Sequence, residues 1–125
     1  MKKYEDMSIR ELSTEVANRL GVIISDERNE MYLNMIRSLN EVDDGTIFVE
    51  KDGNCEHFNI NNPSDIMPIA IENKIIFMPL LDDKWIARNF NPIKSGDNHN
   101  IQIYTYDKNP YRAIAICFLK MKEVE

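Results

Sequence analysis

Two prolines five positions apart constrain this fold more than any other local feature, because the first begins a helix that the second interrupts. Asn62 precedes Pro63, and this pair is typical of the N-cap and first position of a helix. Asp65 adds a carboxylate to the first turn, where the helix dipole favours negative charge. Pro68 lacks the amide hydrogen that a helix interior uses. The sequence predicts a helix from Pro63 that kinks near Met67 or divides into two pieces, either as a packed bend or as a functional corner.

A capping box predicts the first helix of the chain. Ser8 and Glu11 have the spacing at which each side chain bonds the other's backbone amide. Gly21 is predicted to end this helix. Its core-facing stripe recurs at intervals of three and four residues and consists of Ile9, Leu12, Val16 and Leu20, the last three of which are predicted packing residues.

A second helix is predicted over about 27–40, after a short strand or extended connector at 22–24. Ser25 or Asp26 is its predicted cap. Its apolar stripe consists of Met31 or Tyr32, Met35 or Ile36, and Leu39. Because Tyr32, Asn34 and Ile36 also alternate, a strand through residues 31–33 is the alternative.

A hairpin is predicted next, from two β-prone runs at 46–49 and 55–58. Asp52 and Gly53 lie between the runs, and this dipeptide favours the positive φ angles of a tight turn. The hairpin leads directly into the helix start at Asn62.

The C-terminal half is predicted to contain three more strands and one long helix. The strands cover 74–79, which is continuously apolar and predicted to be buried, then 84–90 and 101–106, with a loop over 91–100. Asn109 and Pro110 repeat the asparagine–proline helix start, and the helix is predicted to run to about Lys122. Its centre is apolar on every side, so it should be covered on two faces, by the sheet and by another helix or a partner chain. The partner alternative gives a possible homodimer.

These elements predict an α+β fold, with an antiparallel or mixed sheet of four to five strands packed with helices. The length of 125 residues predicts one domain, 1–125. Cys55 and Cys117 lie far apart in sequence, which fits a reducing cytoplasm. No apolar run is long enough to span a bilayer, so neither secretion nor membrane insertion is expected.

The net charge of −6 is concentrated in the first half of the chain, since residues 1–56 hold 13 acidic and 7 basic residues and residues 57–125 hold 8 of each. A negative surface repels phosphate backbones, so direct nucleic-acid binding is not expected. Negative charge instead suits a basic protein partner, such as a nucleic-acid-binding cleft. The alternative is that it only keeps the protein in solution.

Catalytic signals are weak. Cys55 and His57 would share one strand face and are the only candidates for a nucleophile with its base or for half of a metal site. No second pair of ligands has the usual spacing, and no glycine-rich phosphate loop occurs. We expect no enzymatic activity, no cofactor and no metal.

A binding surface is the stronger expectation. Tyr104 and Tyr106 would share a strand face, and Trp85 would either anchor the core or contribute to an interface. If no helix covers the tyrosines, their face is predicted to be the binding surface. The candidate residues are Trp85, Gln102, Tyr104 and Tyr106, together with Asn62 and Asp65 at the predicted helix start.

Several of these residues also carry a family resemblance, which spans roughly residues 7–122 and is strongest over 62–75. They are Phe58, Asn62, Pro63, Asp65, Pro68, Ile69, Glu72, Asn73, Lys74, Ile75, Trp85, Asn109, Pro110, Arg112 and Ala113. In these positions the chain resembles the NinX-like family of small phage and prophage proteins, which is similar to the phage α-β-α sandwich domains. Family members carry proline, tryptophan and leucine where this chain has Ile60, Met67 and Tyr111.

The resemblance implies an α+β sandwich and brings no established activity. Together with the weak catalytic signals, it predicts a non-enzymatic phage or prophage accessory protein that binds a host or phage protein in replication, recombination or defence. The alternatives are an acidic inhibitor or immunity-type protein that occupies a basic cleft, and a small Cys/His enzyme.

Overall fold

The structure, a computed structural model, describes residues 3–94, 96 and 99–125. It confirms an α+β fold and divides into two compact units, Met1–Asn59 and Ile60–Glu125. The predicted single domain over 1–125 stays a prediction.

The described helices are a short 3₁₀ helix, Tyr4–Asp6, and four α-helices: α1 Ile9–Leu20, α2 Asp26–Ser38, α3 Pro63–Glu72 and α4 Pro110–Val124. The described strands are β1 Ile23–Ile24, β2 Ile47–Lys51, β3 Asn54–Phe58, β4 Ile75–Pro79, β5 Trp85–Asn89, β6 Ile93–Lys94, β7 Asn100–Ile101 and β8 Tyr104–Asp107. They pair antiparallel in the orders β1-β2-β3, β4-β5-β8 and β6-β7. The expected sheet of four to five strands is therefore wrong, because the strands form separate sheets of two or three.

The predicted start and end of the first helix are confirmed by α1. Ser8 Oγ accepts the Glu11 amide, and Glu11 Oε1 accepts the Ser8 amide, each at 3.1 Å. Gly21 takes the left-handed conformation at φ +77° and ends α1. Leu12 and Val16 are fully buried, but Leu20 is 42% exposed, so its predicted place in the core is wrong.

The hairpin of the first unit is also confirmed. β2 pairs with β3 from Ile47 opposite Phe58 to Lys51 opposite Asn54. The connection has two residues, Asp52 at φ +52° and Gly53 at φ +80°, and two positive angles are what the tight hairpin turn requires. One sheet face contributes to a core that consists of Ala17, Ile47 and Val49, with Val22, Ile24 and Phe58 partly buried against it.

The helix predicted over 27–40 is α2, and the strand alternative at 31–33 is wrong. Ser25 is its N-cap residue without a side-chain bond. Within the predicted apolar stripe only Ile36 is buried, whereas Met31, Met35 and Leu39 are exposed. Residues at helical spacing therefore form an apolar surface here rather than a core.

In the second unit, both asparagine–proline starts are confirmed. Asn62 Oδ1 accepts the Ser64 amide, and Asn109 Oδ1 accepts the Tyr111 amide. α3 continues through Pro68 to Glu72 as one helix, so the alternative of two short pieces is wrong. The helix predicted to end near Lys122 is α4.

α4 is covered by its own chain. Its buried residues lie on every side of the helix and comprise Ala113, Ile114, Ala115, Ile116, Cys117, Phe118, Leu119 and Met121. α4 packs against β4, β5 and β8 and against α3. This confirms the expected cover by a sheet and a second helix. A partner copy is therefore not needed to bury the apolar side chains of α4.

Three predictions between residues 74 and 106 need correction. Within β4 only Ile75 is buried, so the strand is not buried along its length. The predicted loop over 91–100 contains β6 and the start of β7, while Ser95, Asp97 and Asn98 lie outside the described residues. The predicted strand 101–106 is interrupted at Gln102 and Ile103.

Candidate functional site

The outer face of the β4-β5-β8 sheet is the candidate site. Alternate side chains along a strand point to opposite faces, and directly paired residues share a face. Arg88 pairs with Ile76 and Tyr104, and Ile86 pairs with Met78 and Tyr106. We call this set the tyrosine face; it consists of Ile76, Met78, Ile86, Arg88, Tyr104 and Tyr106.

The two faces of this sheet differ sharply in burial. On the inner face, Ala87, Asn89 and Thr105 are at most 2% exposed, and α4 packs against the same strands. On the tyrosine face, Tyr104 is 51% and Tyr106 55% exposed. The prediction that the two tyrosines share a face is therefore confirmed, and α4 lies on the other side of the sheet.

Arg88 is the charged member of the tyrosine face. It lies on the central strand between Ile76 and Tyr104 and forms no ion pair with any described residue. A guanidinium on an aromatic and aliphatic surface can bond a carboxylate or backbone carbonyl of a partner. The face thus offers apolar area, two hydroxyl groups and one cation.

Asn89 fixes where β8 begins. Its buried side chain accepts the Ile103 amide at 2.7 Å and donates to the carbonyls of Asn91 at 2.8 Å and Ile101 at 3.3 Å. It also accepts a hydrogen bond from Gln102 Nε2, which donates to the Asn89 carbonyl as well. Gln102 and Ile103 are bound to this side chain between two strands, β7, which pairs with β6, and β8, whose pairing with β5 begins at Tyr104.

The structure separates the other predicted surface residues from the tyrosines. Gln102 is half-buried, and its side-chain amide donates hydrogen bonds to Asn89. Trp85 alternates with Ala87 and Asn89 along β5 and therefore lies on the inner face. It is half-buried and packs against Phe77, with 6.1 Å between the ring centroids. The Asn62 side chain caps α3, and Asp65 lies half-buried in the first turn of that helix.

Four members of the tyrosine face were missed at the sequence level, namely Ile76, Met78, Ile86 and Arg88. The two strands that carry them are predicted, and the alternation of 84–90 places Ile86 and Arg88 together. The pairing of β5 with β8 places Ile86 and Arg88 beside the tyrosines, and the pairing of β4 with β5 adds Ile76 and Met78. No local signal in the sequence specifies either pairing.

Cys55 and His57 are two residues apart on β3 and share one face of that strand, as predicted. Cys55 is exposed and lies opposite Glu50 in the hairpin, whereas His57 packs edge-on against the Phe48 ring at 4.8 Å. No hydrogen bond joins Cys55 to His57. Burial raises the pKa of the Cys117 thiol to about 12, so that thiol is un-ionised at neutral pH.

The described residues contain neither a cluster of metal ligands nor a membrane-spanning helix. Across residues 3–94, 96 and 99–125, no three His, Cys, Asp or Glu side chains are grouped so that they could hold a metal ion. In the same part of the chain, no helix has the length and apolar character needed to cross a membrane.

The chain was compared with known proteins at the level of families, curated sequences and solved structures. No family model, no curated protein and no solved structure matches it. The class that the structure defines is thus an α+β protein with an exposed aromatic sheet face, and the resemblance to NinX-like proteins stays a prediction.

Proposed function

We propose that this protein is a non-catalytic binding module that recognises a protein partner through the tyrosine face. The observation that carries the proposal is the composition of this exposed face. Tyr104, Tyr106, Met78 and Arg88 are of the residue types enriched in the centres of protein interfaces. Tyrosine adds apolar area at a low cost in side-chain entropy and keeps a hydroxyl for hydrogen bonding.

The size of the face indicates its place in an interface. Three strands about 4.8 Å apart, two of five residues and one of four, cover roughly 200 Å², whereas a standard interface buries about 800 Å² on each partner. The tyrosine face therefore corresponds to the central cluster of an interface, and the remaining contact area lies around it. Central aromatic and arginine side chains usually contribute most of the binding energy.

The resemblance to NinX-like proteins directs the search for the partner to bacterial host and phage proteins. The proposal is tested by capture from a bacterial lysate with the tagged chain, at low and at moderate salt, followed by mass spectrometry. A partner that contacts an apolar face should remain bound at moderate salt, because apolar contact is not screened. Loss of the partner at moderate salt would instead favour the alternative of an acidic inhibitor.

Matched variants locate the surface. The double substitution Tyr104→Ala and Tyr106→Ala should remove the partner, while Ile71→Ala and Leu81→Ala should not. Ile71 and Leu81 are exposed apolar residues of the same unit, at 73% and 107%, and they lie outside the tyrosine face. A thermal melt of each variant separates loss of binding from loss of folding. Equal capture by the double variant, or no partner at either salt, would contradict the proposal.

A further inference from the structure

The first unit contains a groove between α2 and the outer face of β2. Its volume is about 690 Å³. Its lining includes Met31, Tyr32, Met35 and Phe48, with Glu27 and Glu50 also along it, and we call these six residues the methionine groove. Met31 is 65% and Met35 47% exposed, so the apolar side chains are open to solvent.

Aromatic contacts and hydrogen bonds hold the floor of the groove. The Tyr32 and Phe48 rings meet edge to face at 5.2 Å, and Phe48 meets His57 in the same way. The Asn29 side chain bonds both the amide and the carbonyl of Phe48. A groove held in this way does not have to be assembled on binding, which lowers the entropy cost of association.

The surroundings of the methionine groove are negatively charged. Glu27 and Glu50 form no ion pair with a described residue, and Asp44 lies 3.5 Å from the Tyr32 hydroxyl. Arg28 is the cation among the lining residues, whereas Arg10, beside the Tyr32 ring, is bound to a carboxylate of Asp43. Burial, followed by the negative charge of Asp44 and Asp43, raises the pKa of Tyr32.

The whole unit reinforces this local charge. Residues 1–59 hold 13 acidic and 7 basic residues, a net charge of −6, while residues 60–125 hold 8 of each. The unit with the groove therefore carries all of the excess negative charge. A basic partner would be attracted to it over distances up to about 10 Å at 0.1 M salt.

We propose that the methionine groove binds a basic amphipathic helix of a partner protein. The helix would lay its apolar side chains against Met31 and Met35 and direct lysine or arginine toward Glu27 and Glu50. Methionine side chains adapt to apolar surfaces of different shape, which suits this mode of binding. From residue 27 to residue 35 the groove extends about 12 Å, which corresponds to about two turns of a bound helix.

This inference goes beyond the function proposed above, because it concerns a different unit and a partner of defined charge. The first test uses a 14-residue leucine–lysine peptide with an amphipathic helical pattern and a leucine–glutamate peptide with the same apolar positions. The protein contains seven methionines, and ¹³C labels on their methyl groups report contact by NMR. We expect the leucine–lysine peptide to shift the Met31 and Met35 signals and to leave Met78, on the tyrosine face, unchanged.

Variants separate specific binding from general attraction to an acidic protein. Glu27→Gln with Glu50→Gln should weaken the leucine–lysine peptide about fivefold, and Met31→Gln with Met35→Gln should weaken it about tenfold. Asp26→Asn with Glu30→Gln is the matched control for charge, since both residues lie on α2 and neither is among the lining residues. Circular dichroism checks that each variant is folded.

Three results would overturn the inference. They are equal binding of the leucine–glutamate peptide, shifts centred on Met78, and equal weakening by the control variant. The Tyr104→Ala and Tyr106→Ala variant should bind the leucine–lysine peptide normally. Failure of the groove and failure of the tyrosine face are thus distinguishable.

Discussion

Asn29 on α2 pairs with Phe48 on β2 as a neighbouring strand would. Its Oδ1 accepts the Phe48 amide at 2.9 Å, and its Nδ2 donates to the Phe48 carbonyl at 3.0 Å. β1 has only two residues, Ile23 and Ile24, and they pair with the two residues that follow Phe48. The next residue, Ser25, donates its amide to the Phe48 carbonyl at 3.1 Å. The Asn29 side chain therefore supplies the acceptor that the Ser25 carbonyl would offer to the Phe48 amide in a longer β1. In this way it attaches α2 to the sheet and fixes one wall of the methionine groove.

Replacing Asn29 by alanine should destabilise the protein. The Phe48 carbonyl keeps the Ser25 amide as a donor at 3.1 Å, but the half-buried Phe48 amide would have no acceptor. An unsatisfied backbone group of this kind costs about 1–3 kcal/mol, and urea unfolding measures the loss. Asn34→Ala, at an exposed position of the same helix, is the control and should cost less than about 0.5 kcal/mol. Equal stability of Asn29→Ala and wild type would contradict the proposed attachment.

Gly45 should tolerate substitution much less than Gly53. Both have positive φ angles, +88° and +80°, so alanine is strained at either position by about 1–2 kcal/mol. A Cβ at Gly45 would also lie 2.6 Å from Ile9 Cγ2, whereas a Cβ at Gly53 meets no atom within 4 Å. We expect Gly45→Ala to lower the free energy of unfolding by about 1–3 kcal/mol more than Gly53→Ala, as overpacking usually does. Thermal and urea unfolding of the two variants provide the comparison, and equal losses would show that the loop moves away from α1 at little cost.

Asp43 should contribute to stability above pH 4 and lose that contribution in acid. Its hydrogen bonds from Arg10, at 2.8 Å, lower its pKa below the ordinary value of 3.8, against an opposing effect of burial. A carboxyl with a lowered pKa in the folded state stabilises the protein above its unfolded pKa and loses this effect as pH falls through the folded value. Because the pair is partly exposed, Asp43→Asn should cost only about 1 kcal/mol at pH 7.

The difference between wild type and Asp43→Asn should decrease steadily below about pH 4. Asp52→Asn removes the same charge in the exposed hairpin turn and is the matched control. Urea unfolding from pH 2 to pH 7 measures both variants. A difference that stays constant down to pH 2 would show that Asp43 acts through packing rather than through its charge.

Elements whose signals lie within a few residues could be predicted from the sequence. The bonds that Ser8, Asn62 and Asn109 make at helix starts are to amides two or three residues away. The turn at Asp52 and Gly53 depends on the conformations of those two residues alone. Such interactions are independent of the rest of the fold, so the pattern of residue types is sufficient to identify them.

Features set by distant residues could not be predicted. Asn89 interrupts the strand expected over 101–106 by bonding Ile101, Gln102 and Ile103, which lie 12–14 residues further along the chain. The periodicity of α2 reveals an apolar face but not whether that face is covered. For the candidate site, the alternation of residue types predicts that Tyr104 and Tyr106 share a face. It does not predict that Arg88 and Ile86 lie beside them, because this follows from the pairing of β5 with β8.

Thr105 should be replaceable by valine with a gain in stability. It is 2% exposed on the inner face of the β4-β5-β8 sheet, and its Oγ1 has no hydrogen-bond partner among the described residues. Valine has nearly the same shape and does not require a partner, so Thr105→Val should raise the free energy of unfolding by about 1 kcal/mol. Thr46→Val is the opposite case, because Thr46 Oγ1 accepts a hydrogen bond from Asn59 at 3.1 Å, and it should lower stability. A loss of stability in Thr105→Val would indicate that the hydroxyl is satisfied.

Asn89 should be the polar residue whose loss most damages the second unit. It is 1% exposed, and its side chain bonds two backbone carbonyls and the Ile103 amide. Asn89→Ala would remove all three of these hydrogen bonds at a buried position, so we expect a loss of about 3 kcal/mol or more. Gln102→Ala removes only the half-buried amide that bonds Asn89 and should cost about 1 kcal/mol. Urea unfolding measures both changes.

Hydrogen exchange tests the structural reason for that difference. If Asn89 sets the start of β8, the amides of Ile103 and the β8 residues should exchange faster in Asn89→Ala, while those of α1 and β2 in the other unit keep their protection. In Gln102→Ala the β8 amides should stay protected, because Asn89 still bonds the Ile103 amide. Unchanged protection of β8 in Asn89→Ala would show that pairing with β5 alone positions Tyr104 and Tyr106. The tyrosine face would then be independent of the Asn89 network.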